Sequence, residues 1–470
     1  MRIRLKRMFR RFRLLDMEAE VLLPGHGEKI EMNSLAGSHT SQAVKGGLGI
    51  ATAAIFLAGE MAGSGVLALP YALLGTGWTG LFLIAMFTVN SLFSGTRLGL
   101  CWVMLEERYE EFRGHVRDPY PCIGEKAVGR WGRIVSLVAI CITLYGGGCV
   151  FIVLIAQLLG SLVGSAGFHL TLCTWMVIVA VCLIPLTWAG TPKDFWPIAV
   201  GALLTTVTAC IIIIIKVVID GNELEQKVYP PPTFQGFLKA FGSIMFAFAG
   251  ASTFPTIQAD MKNRSQFNYA AVIAILILFL IYFPMAAGGY FALGELVQDN
   301  IVLSMSDGWE RVVVEIMLLL HLVSAFPIIT NPPAQIFEEI LSIPSDFNWK
   351  RCVFRSISVL ILLFVAESVP SFGAILNLVG ASTVTLLTFV FPPFFYMKIA
   401  DATIGVKGVP ERRIPVWERV YCWGLIVIGI LGGACATYNA MSDIVATSLS
   451  IPCYLIYFSD MFATCLSVPL

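Results

Sequence analysis

Two apolar segments of this chain contain a cluster of small residues followed by a proline. Residues 63–65 (Gly-Ser-Gly) come shortly before Pro70, and residues 249–252 (Ala-Gly-Ala-Ser) come shortly before Pro255. Glycine weakens a helix, and proline removes a donor and crowds the carbonyl four residues earlier. In lipid, freed backbone groups cost several kcal/mol unless they face protein or a water-filled cavity. A matched pair of interrupted helices therefore indicates the binding site of a transporter.

The two predicted breaks offer opposite chemistry to a ligand. The half-helix that begins at Val66 presents N–H groups and a positive dipole end, which suit a carboxylate. Carbonyls freed around Phe248 and Gly250 accept from an ammonium group or bind a cation. Small residues also let helices pack closely, so packing is the alternative for either break taken alone. The predicted substrate-binding residues are Gly63, Ser64, Gly65, Val66, Tyr145, Phe248, Ala249, Gly250 and Ser252.

Four polar residues within apolar runs are further candidates. The Tyr145 hydroxyl could reach a substrate carboxylate, although a packing role is the alternative. Glu60 stands three positions before the first predicted break, where an acid is costly and is a functional hypothesis by default. It could carry a coupling proton or help to hold a cation, or be a structural acid. His321 and Ser324 are candidates for proton or cation contact, with a hydrogen-bonded core histidine as the alternative.

The composition is that of a membrane protein. Of 470 residues, 57% are hydrophobic and 13% charged, whereas soluble domains carry about 25% charged residues. A spanning helix needs about 20 mostly apolar residues, and about eleven such segments are present. The sequence therefore predicts an all-α membrane protein. The segments begin near Leu48, Trp78, Ile134, Leu170, Phe195, Leu238, Tyr269, Val312, Val353, Phe372 and Val420.

The basic residues are sorted by side. All but five of the 31 lysines and arginines fall on the N-terminal side of the predicted spans or in alternate loops. By the positive-inside rule that side is the cytoplasm. Segments one to five and six to ten each open with an interrupted helix, which predicts a 5+5 inverted repeat with one extra helix. We expect residues 1–45 to be a mostly disordered cytosolic tail, 46–445 the transporter, and 446–470 an apolar extracytosolic tail. A twelfth span in residues 444–470 is the alternative.

The tail and the cysteines add weaker signals. Glu18, Leu22 and Leu23 match an acidic dileucine sorting pattern, which predicts a sorting adaptor as partner and the plasma membrane or lysosome/endosome as location. The basic residues before them could instead hold anionic lipid headgroups. No spacing of the 12 cysteines indicates a metal site. Three cysteines are predicted on the outer side, namely Cys173, Cys453 and Cys465. The sequence leaves open whether two of them form a disulfide.

Several stretches resemble those of the amino acid/auxin permease family. Residues 63–72 (GSGVLALPYA) are similar to its first-helix signature, 246–257 (FAFAGASTFPTI) to its sixth and 370–380 (PSFGAILNLVG) to the entry of its tenth. The resemblance implies a leucine-transporter-like architecture of eleven helices that binds an amino acid at the unwound parts of helices one and six. Members carry amino acids, often with protons or sodium. Glu60 and Ser64 are not part of the common signature.

We therefore predict a secondary active transporter of small, neutral amino acids that works by alternating access and is coupled to protons or sodium. Neutral substrates are favoured because no lysine or arginine lies near either break to pair with an acidic side chain. The chain lacks HExxH, GxSxG or paired intramembrane aspartates, so we expect no enzyme, no cofactor beyond the coupling ion and no metal site. With zero formal net charge, nothing points to nucleic acid. A carrier-like amino-acid sensor that signals through the N-terminal tail is the alternative.

Overall fold

The computed structural model describes residues 47–447, apart from residues 115, 117, 165, 166, 168, 189–195, 345 and 406–409, and also residues 452–455. Within these residues the fold is helical, with one isolated β-bridge and no strand. The predicted sorting residues Glu18, Leu22 and Leu23 lie outside the described residues.

The helices are numbered in chain order. They are α1 (Ile50–Met61), α2 (Gly65–Thr76), α3 (Thr79–Arg108), α4 (Pro119–Val128), α5 (Arg130–Gly164), α6 (Leu172–Trp188), α7 (Trp196–Asn222), α8 (Phe234–Ala247), α9 (Phe254–Ala259), α10 (Phe267–Leu293), α11 (Trp309–Ile340), α12 (Trp349–Ser368), α13 (Phe372–Asp401) and α14 (Val416–Thr447). Within α13, the segments Gly380–Val384 and Leu386–Val390 are π-helical.

Every predicted apolar segment corresponds to one helix or to a pair of helices, with its start within four residues of the predicted one. Seven of the described helices are long and apolar enough to cross a membrane, and the bent pair α1–α2 makes an eighth. Helix α6 has 17 residues and is shorter than a usual span. The fold class is thus confirmed, while the number of eleven spans stays a prediction.

Loops that the charge pattern assigns to the cytoplasm meet at one end of the molecule. The segment before α1 pairs with the segment after α9 through Leu48 and Met261. Arg264, between α9 and α10, lies 2.5 Å from Glu106 at the end of α3. This end is called the inner end below, although its cytoplasmic orientation stays a prediction. Elsewhere, a disulfide joins Cys173 at the start of α6 to Cys453.

The interrupted helices are packed at the centre of the fold by contacts between backbones. Gly75 on α2 and Gly236 on α8 approach so closely that a Cβ on either would lie 2.4 Å from the Cα of the other. Only glycine permits this approach. Helices α2 and α8 are thereby held at short distance at their ends away from the two breaks.

The glycine cluster on α5 serves other neighbours. A Cβ on Gly146, Gly147 or Gly148 would meet, in that order, Val379 on α13, Ile329 on α11 and Leu362 on α12. The cluster therefore lets α5 pack against three helices that surround the interrupted ones, rather than against the interrupted helices themselves.

Candidate functional site

The first helix is interrupted where the small residues predict it. Helix α1 ends at Met61, α2 begins at Gly65, and the two halves are bent by 57°. The Gly63 N–H donates to the Met61 carbonyl at 2.8 Å, a tight turn that leaves the helical pattern. Pro70 lies inside α2 and does not end it, so the break comes from the small residues before it.

The break leaves N–H groups without backbone acceptors, at positions one and two residues before the predicted one. The Val66 N–H donates to the Gly63 carbonyl at 3.4 Å, and the Leu67 N–H donates to the Ser64 carbonyl at 3.2 Å. Among the described residues, no backbone acceptor is found for the N–H groups of Ser64 and Gly65. These two donors, rather than that of Val66, are the ones left at the positive end of α2.

The second break is a short 3₁₀ turn. Helix α8 ends at Ala247, the turn covers Ala249–Ser252, and α9 starts at Phe254 with Pro255 in its first turn. Proline is tolerated there because the first N–H groups of a helix have no internal partner. The break therefore leaves carbonyls at the end of α8 without helical donors.

The two breaks contact each other directly. A Cβ on Gly250 would lie 2.2 Å from Cγ of Met61, and a Cβ on Gly65 would lie 2.7 Å from Cα of Ala247. Ser64, Val66 and Phe248 are buried in the same region. Gly63 differs from its neighbours, because a Cβ placed there meets no heavy atom within 4 Å. Among the glycines of the two breaks, Gly63 is therefore the one that faces open space.

A cavity of about 670 Å³ leads from the second break to the inner end. Ser252, Thr253 and Thr256 line one wall, and Asn331 with Gln335, one turn further along α11, lines another. Leu144 and Ile140 of α5 add apolar surface between them. We call this cavity the inner vestibule. Its size is that of a site for a small organic ligand.

Charged side chains of the vestibule belong to its inner-end loops. Arg113 and Asp118 precede α4, whereas Asp260 and Arg264 follow α9. The Arg264 Nε donates to the Ala259 carbonyl at 2.9 Å, in addition to its ion pair with Glu106. The wall near the second break consists of hydroxyl, amide and apolar groups.

Tyr145 is not among the residues that line the vestibule. It lines a small cavity with Thr187, Ser358 and Arg355 and shares no lining residue with the vestibule. Its ring is stacked with Phe337 at 6.2 Å between centroids. The structure does not bring Tyr145 together with the two breaks, so its contact with substrate stays a prediction.

The three coupling candidates have different surroundings. Glu60 is exposed at the end of α1, and its carboxylate has no hydrogen bond or ion pair to a described residue. His321 is buried and bonds the backbone of Ala202 on α7, while its Nδ1 has no partner among the described atoms. The Ser324 hydroxyl donates to the His321 carbonyl at 2.8 Å. Of the three, Glu60 is the one whose ionisable group has neither a hydrogen bond nor an ion pair to a described residue and is not covered by the described side chains.

Sequence reasoning missed a buried ion pair beside the vestibule. The predicted segment begins near Val353, whereas α12 begins at Trp349, so Arg351 and Arg355 both lie inside the helix, where they are buried. The Arg355 Nε donates to Glu338 at 2.7 Å, and its Nη2 donates to the Asn331 Oδ1 at 2.8 Å. Because Arg355 and Glu338 are 17 positions apart, no local spacing signals the pair.

Sequence reasoning also missed Tyr282 on α10. Its hydroxyl lies between the two breaks, in contact with the carbonyls of Met61 and Ala247. Nothing in the local sequence distinguishes it from the other 12 tyrosines.

Among the described residues, no group of three or more histidine, cysteine or acidic side chains could hold a metal ion.

Comparison with known sequences assigns the family. Residues 46–441 match the family described as "Transmembrane amino acid transporter protein". The chain belongs to this family. It is 23% identical over 409 residues to amino acid transporter ANT1 of Arabidopsis thaliana, a match covering 81% of this chain and 90% of that protein. Amino acid transporter AVT1I of the same plant is 26% identical over 400 residues, covering 82% and 93%.

Comparison with solved structures identifies the fold. A manganese transporter of Eremococcus coleocola superposes with a TM-score of 0.55 at 12% identity, covering 89% of this chain and 94% of that one. MhsT in complex with L-phenylalanine gives 0.51 at 14% identity, with coverage of 83% and 98%. Mhp1 in an inward-facing conformation gives 0.54 at 14%, with coverage of 89% and 96%. The chain therefore has the leucine-transporter-like fold of a multi-pass membrane transporter and, by its family, is an amino acid transporter and not an enzyme.

Proposed function

We propose that this member of the family is a secondary active transporter of small, neutral amino acids that works by alternating access. The observation that carries the proposal is the inner vestibule, which joins the break at Ser252 and Thr253 to the inner end of the molecule. Alternating access requires a state in which the central site is open to one side of the membrane. The predicted cytosolic side of the vestibule makes this the inward-facing state.

The substrate is held by the peptide groups of the two breaks. The N–H groups of Ser64 and Gly65 bind its carboxylate, because they lie at the positive end of α2. Carbonyls of the 3₁₀ turn Ala249–Ser252 accept from its ammonium group. The open space beside Gly63 then receives part of the substrate. These contacts are common to all amino acids and set the class of substrate.

Preference for a neutral side chain follows from the walls of the vestibule. Near the break its lining consists of Ser252, Thr253, Thr256 and Asn331 together with aliphatic side chains. Arg264, in the inner-end loop after α9, already pairs with Glu106. An acidic substrate side chain would leave water without a counter-charge at the break, which is costly in a low-dielectric site. The acid beside the first break that could pair with a basic substrate side chain is Glu60, and we assign it to coupling instead.

Transport is coupled to a proton or sodium gradient. Glu60 is the proposed coupling group because it is an unpaired acid one turn from the open space at Gly63. His321 and Ser324 are weaker candidates, since their polar atoms contact the α7 and α11 backbones. The sorting role of Glu18, Leu22 and Leu23, and with it a plasma-membrane or lysosomal/endosomal location, remains a proposal from the sequence pattern alone.

Uptake into proteoliposomes tests this function. Purified protein would be offered each amino acid in turn, with a proton gradient, a sodium gradient or neither. We expect concentrative uptake of small neutral amino acids with one of the two gradients. Uptake of none of the amino acids under any gradient would contradict the proposal.

A matched pair of glycine variants tests the site. Gly63 and Gly49 both have open space for a Cβ, and neither has a positive φ, so leucine is compatible with the backbone at both positions. We expect Gly63→Leu to reduce uptake at least tenfold with normal amounts of folded protein, because the side chain fills the space at the break. Gly49→Leu, at the start of α1 and away from the break, should retain uptake. Equal uptake by the two variants would exclude Gly63 from the site.

A further inference from the structure

A buried tyrosine joins the two interrupted helices. Tyr282, in the middle of α10, is fully buried. Its hydroxyl oxygen lies 2.8 Å from the carbonyl oxygen of Met61 and 2.8 Å from that of Ala247. The ring of Phe248 packs edge-on against it, with 5.4 Å between centroids. One side chain thus contacts the last residue of α1 and the last residue of α8.

Both carbonyls belong to groups that the breaks deprive of helical donors. The last carbonyls of a helix have no partner within it, and an unsatisfied carbonyl inside a membrane protein costs several kcal/mol. Met61 receives one further bond from the Gly63 N–H. The phenol of Tyr282 supplies the donor that the two helix ends share.

A phenol carries one proton, so it donates to one carbonyl at a time. At equal distances of 2.8 Å the hydroxyl can turn from one acceptor to the other while the ring stays in place. Helix α1 extends from the break to the inner end, where Leu48 pairs with Met261, whereas α8 approaches the break from the opposite end. The hydroxyl therefore links half-helices that lie on opposite sides of the site.

Building on the proposed transport function, we propose that Tyr282 is a positioning residue for the change between inward- and outward-facing states. When either half-helix tilts away from the site, its carbonyl leaves the hydroxyl and the other carbonyl keeps the hydrogen bond. The link thus lowers the free energy of the states between the two ends of the cycle. Because Tyr282 is buried behind the helix ends, it acts on the rate of conformational change and not through contact with the substrate.

The test compares Tyr282→Phe with Tyr290→Phe. The first variant removes only the bridging oxygen. Tyr290 lies on the same helix and is also fully buried, and its ring packs on Trp78 at 5.3 Å between centroids, but the described contacts give its hydroxyl no bond to either break. The probe is the radiolabelled amino acid that wild-type vesicles take up fastest from an equimolar panel. Binding sites per molecule and turnover per binding site are measured for all three proteins.

We expect Tyr282→Phe to keep the number of binding sites within twofold of wild type while turnover per site falls at least tenfold. Tyr290→Phe should retain both quantities. Turnover of Tyr282→Phe within twofold of wild type would overturn the proposal. So would binding and uptake that fall in proportion, or a Tyr282→Phe protein that does not accumulate when Tyr290→Phe does, because each indicates a role in folding only. Absence of uptake by the wild type would instead reject the proposed transport function itself.

Discussion

The ion pair between α11 and α12 gives a stability prediction that can be worked from its surroundings. Arg355 and Glu338 are 3% and 4% exposed, and the Arg355 Nε donates to Glu338 at 2.7 Å. The Nη1 of Arg355 donates to the Thr187 carbonyl at 2.7 Å, so the guanidinium is held on several sides. Replacing Glu338 by alanine leaves this cation buried without its acid. Breaking a buried pair in this way costs about 3–5 kcal/mol.

The presence of Arg351 increases the loss of folding stability expected for Glu338→Ala. Its Nε lies 3.5 Å from the same Glu338 carboxylate, so Glu338→Ala removes one acid from two buried cations that approach each other. The double variant Glu338→Leu/Arg355→Met removes one charge of each sign at similar volume. Replacing both members of a buried pair by apolar groups is often neutral for stability. We therefore expect the double variant to recover at least half of the stability lost in Glu338→Ala.

Thermal denaturation followed by size-exclusion chromatography in detergent measures this effect. Glu339→Ala is the matched control, because Glu339 is the next residue, has the same side chain and is exposed instead of buried. We expect Glu338→Ala to denature at clearly lower temperature than the control and the double variant to lie between them. A Glu338→Ala protein as stable as Glu339→Ala, or a double variant no more stable than Glu338→Ala, would refute the assignment of the pair as a coupled buried unit.

Two further predictions concern the first break. Gly65→Leu should fail to accumulate as folded protein, because its Cβ would lie 2.7 Å from the Cα of Ala247 on the facing helix; accumulation equal to that of Gly63→Leu, measured by fluorescence of a fusion tag after size exclusion, would show that the contact is not required. Glu60→Gln removes a titratable acid at nearly constant size, so it should flatten the dependence of uptake on pH or on sodium. A profile identical to that of the wild type would exclude Glu60 from coupling.

The positions of the helices and of the breaks were accessible from the sequence because their causes are local. Apolar runs of sufficient length must be helical in lipid, since no other open structure satisfies the backbone there. The first break occurs at residues 62–64, where glycine and small residues weaken the helix, and the second at residues 248–253. In both segments the following proline lies within or at the start of a continuing helix. The small residues, rather than the prolines, were the informative signal.

The partners of the site were not accessible, because they come from distant parts of the chain. Tyr282 lies 221 residues from Met61 and 35 from Ala247, and no local pattern specifies that a phenol meets both carbonyls. For Arg355, counting charges by loop gave the wrong environment: the positive-inside rule assigns a basic residue to a side, whereas burial depends on the acid it meets. Tyr145 illustrates the same limit, because its face on α5 is set by Phe337 and Ser358 on other helices.

The two breaks look equivalent in the sequence but differ in what surrounds them, and the difference sets their chemistry. At the first, Gly63 borders open space and two N–H groups lack backbone acceptors among the described residues. At the second, the side chain of Met61 occupies the space over Gly250, while Ser252 faces the inner vestibule. An inverted repeat relates backbone topology but not the neighbours of each break. A zwitterion with two unlike ends therefore matches this asymmetric pair better than a simple ion does, because each break satisfies only one of its charges.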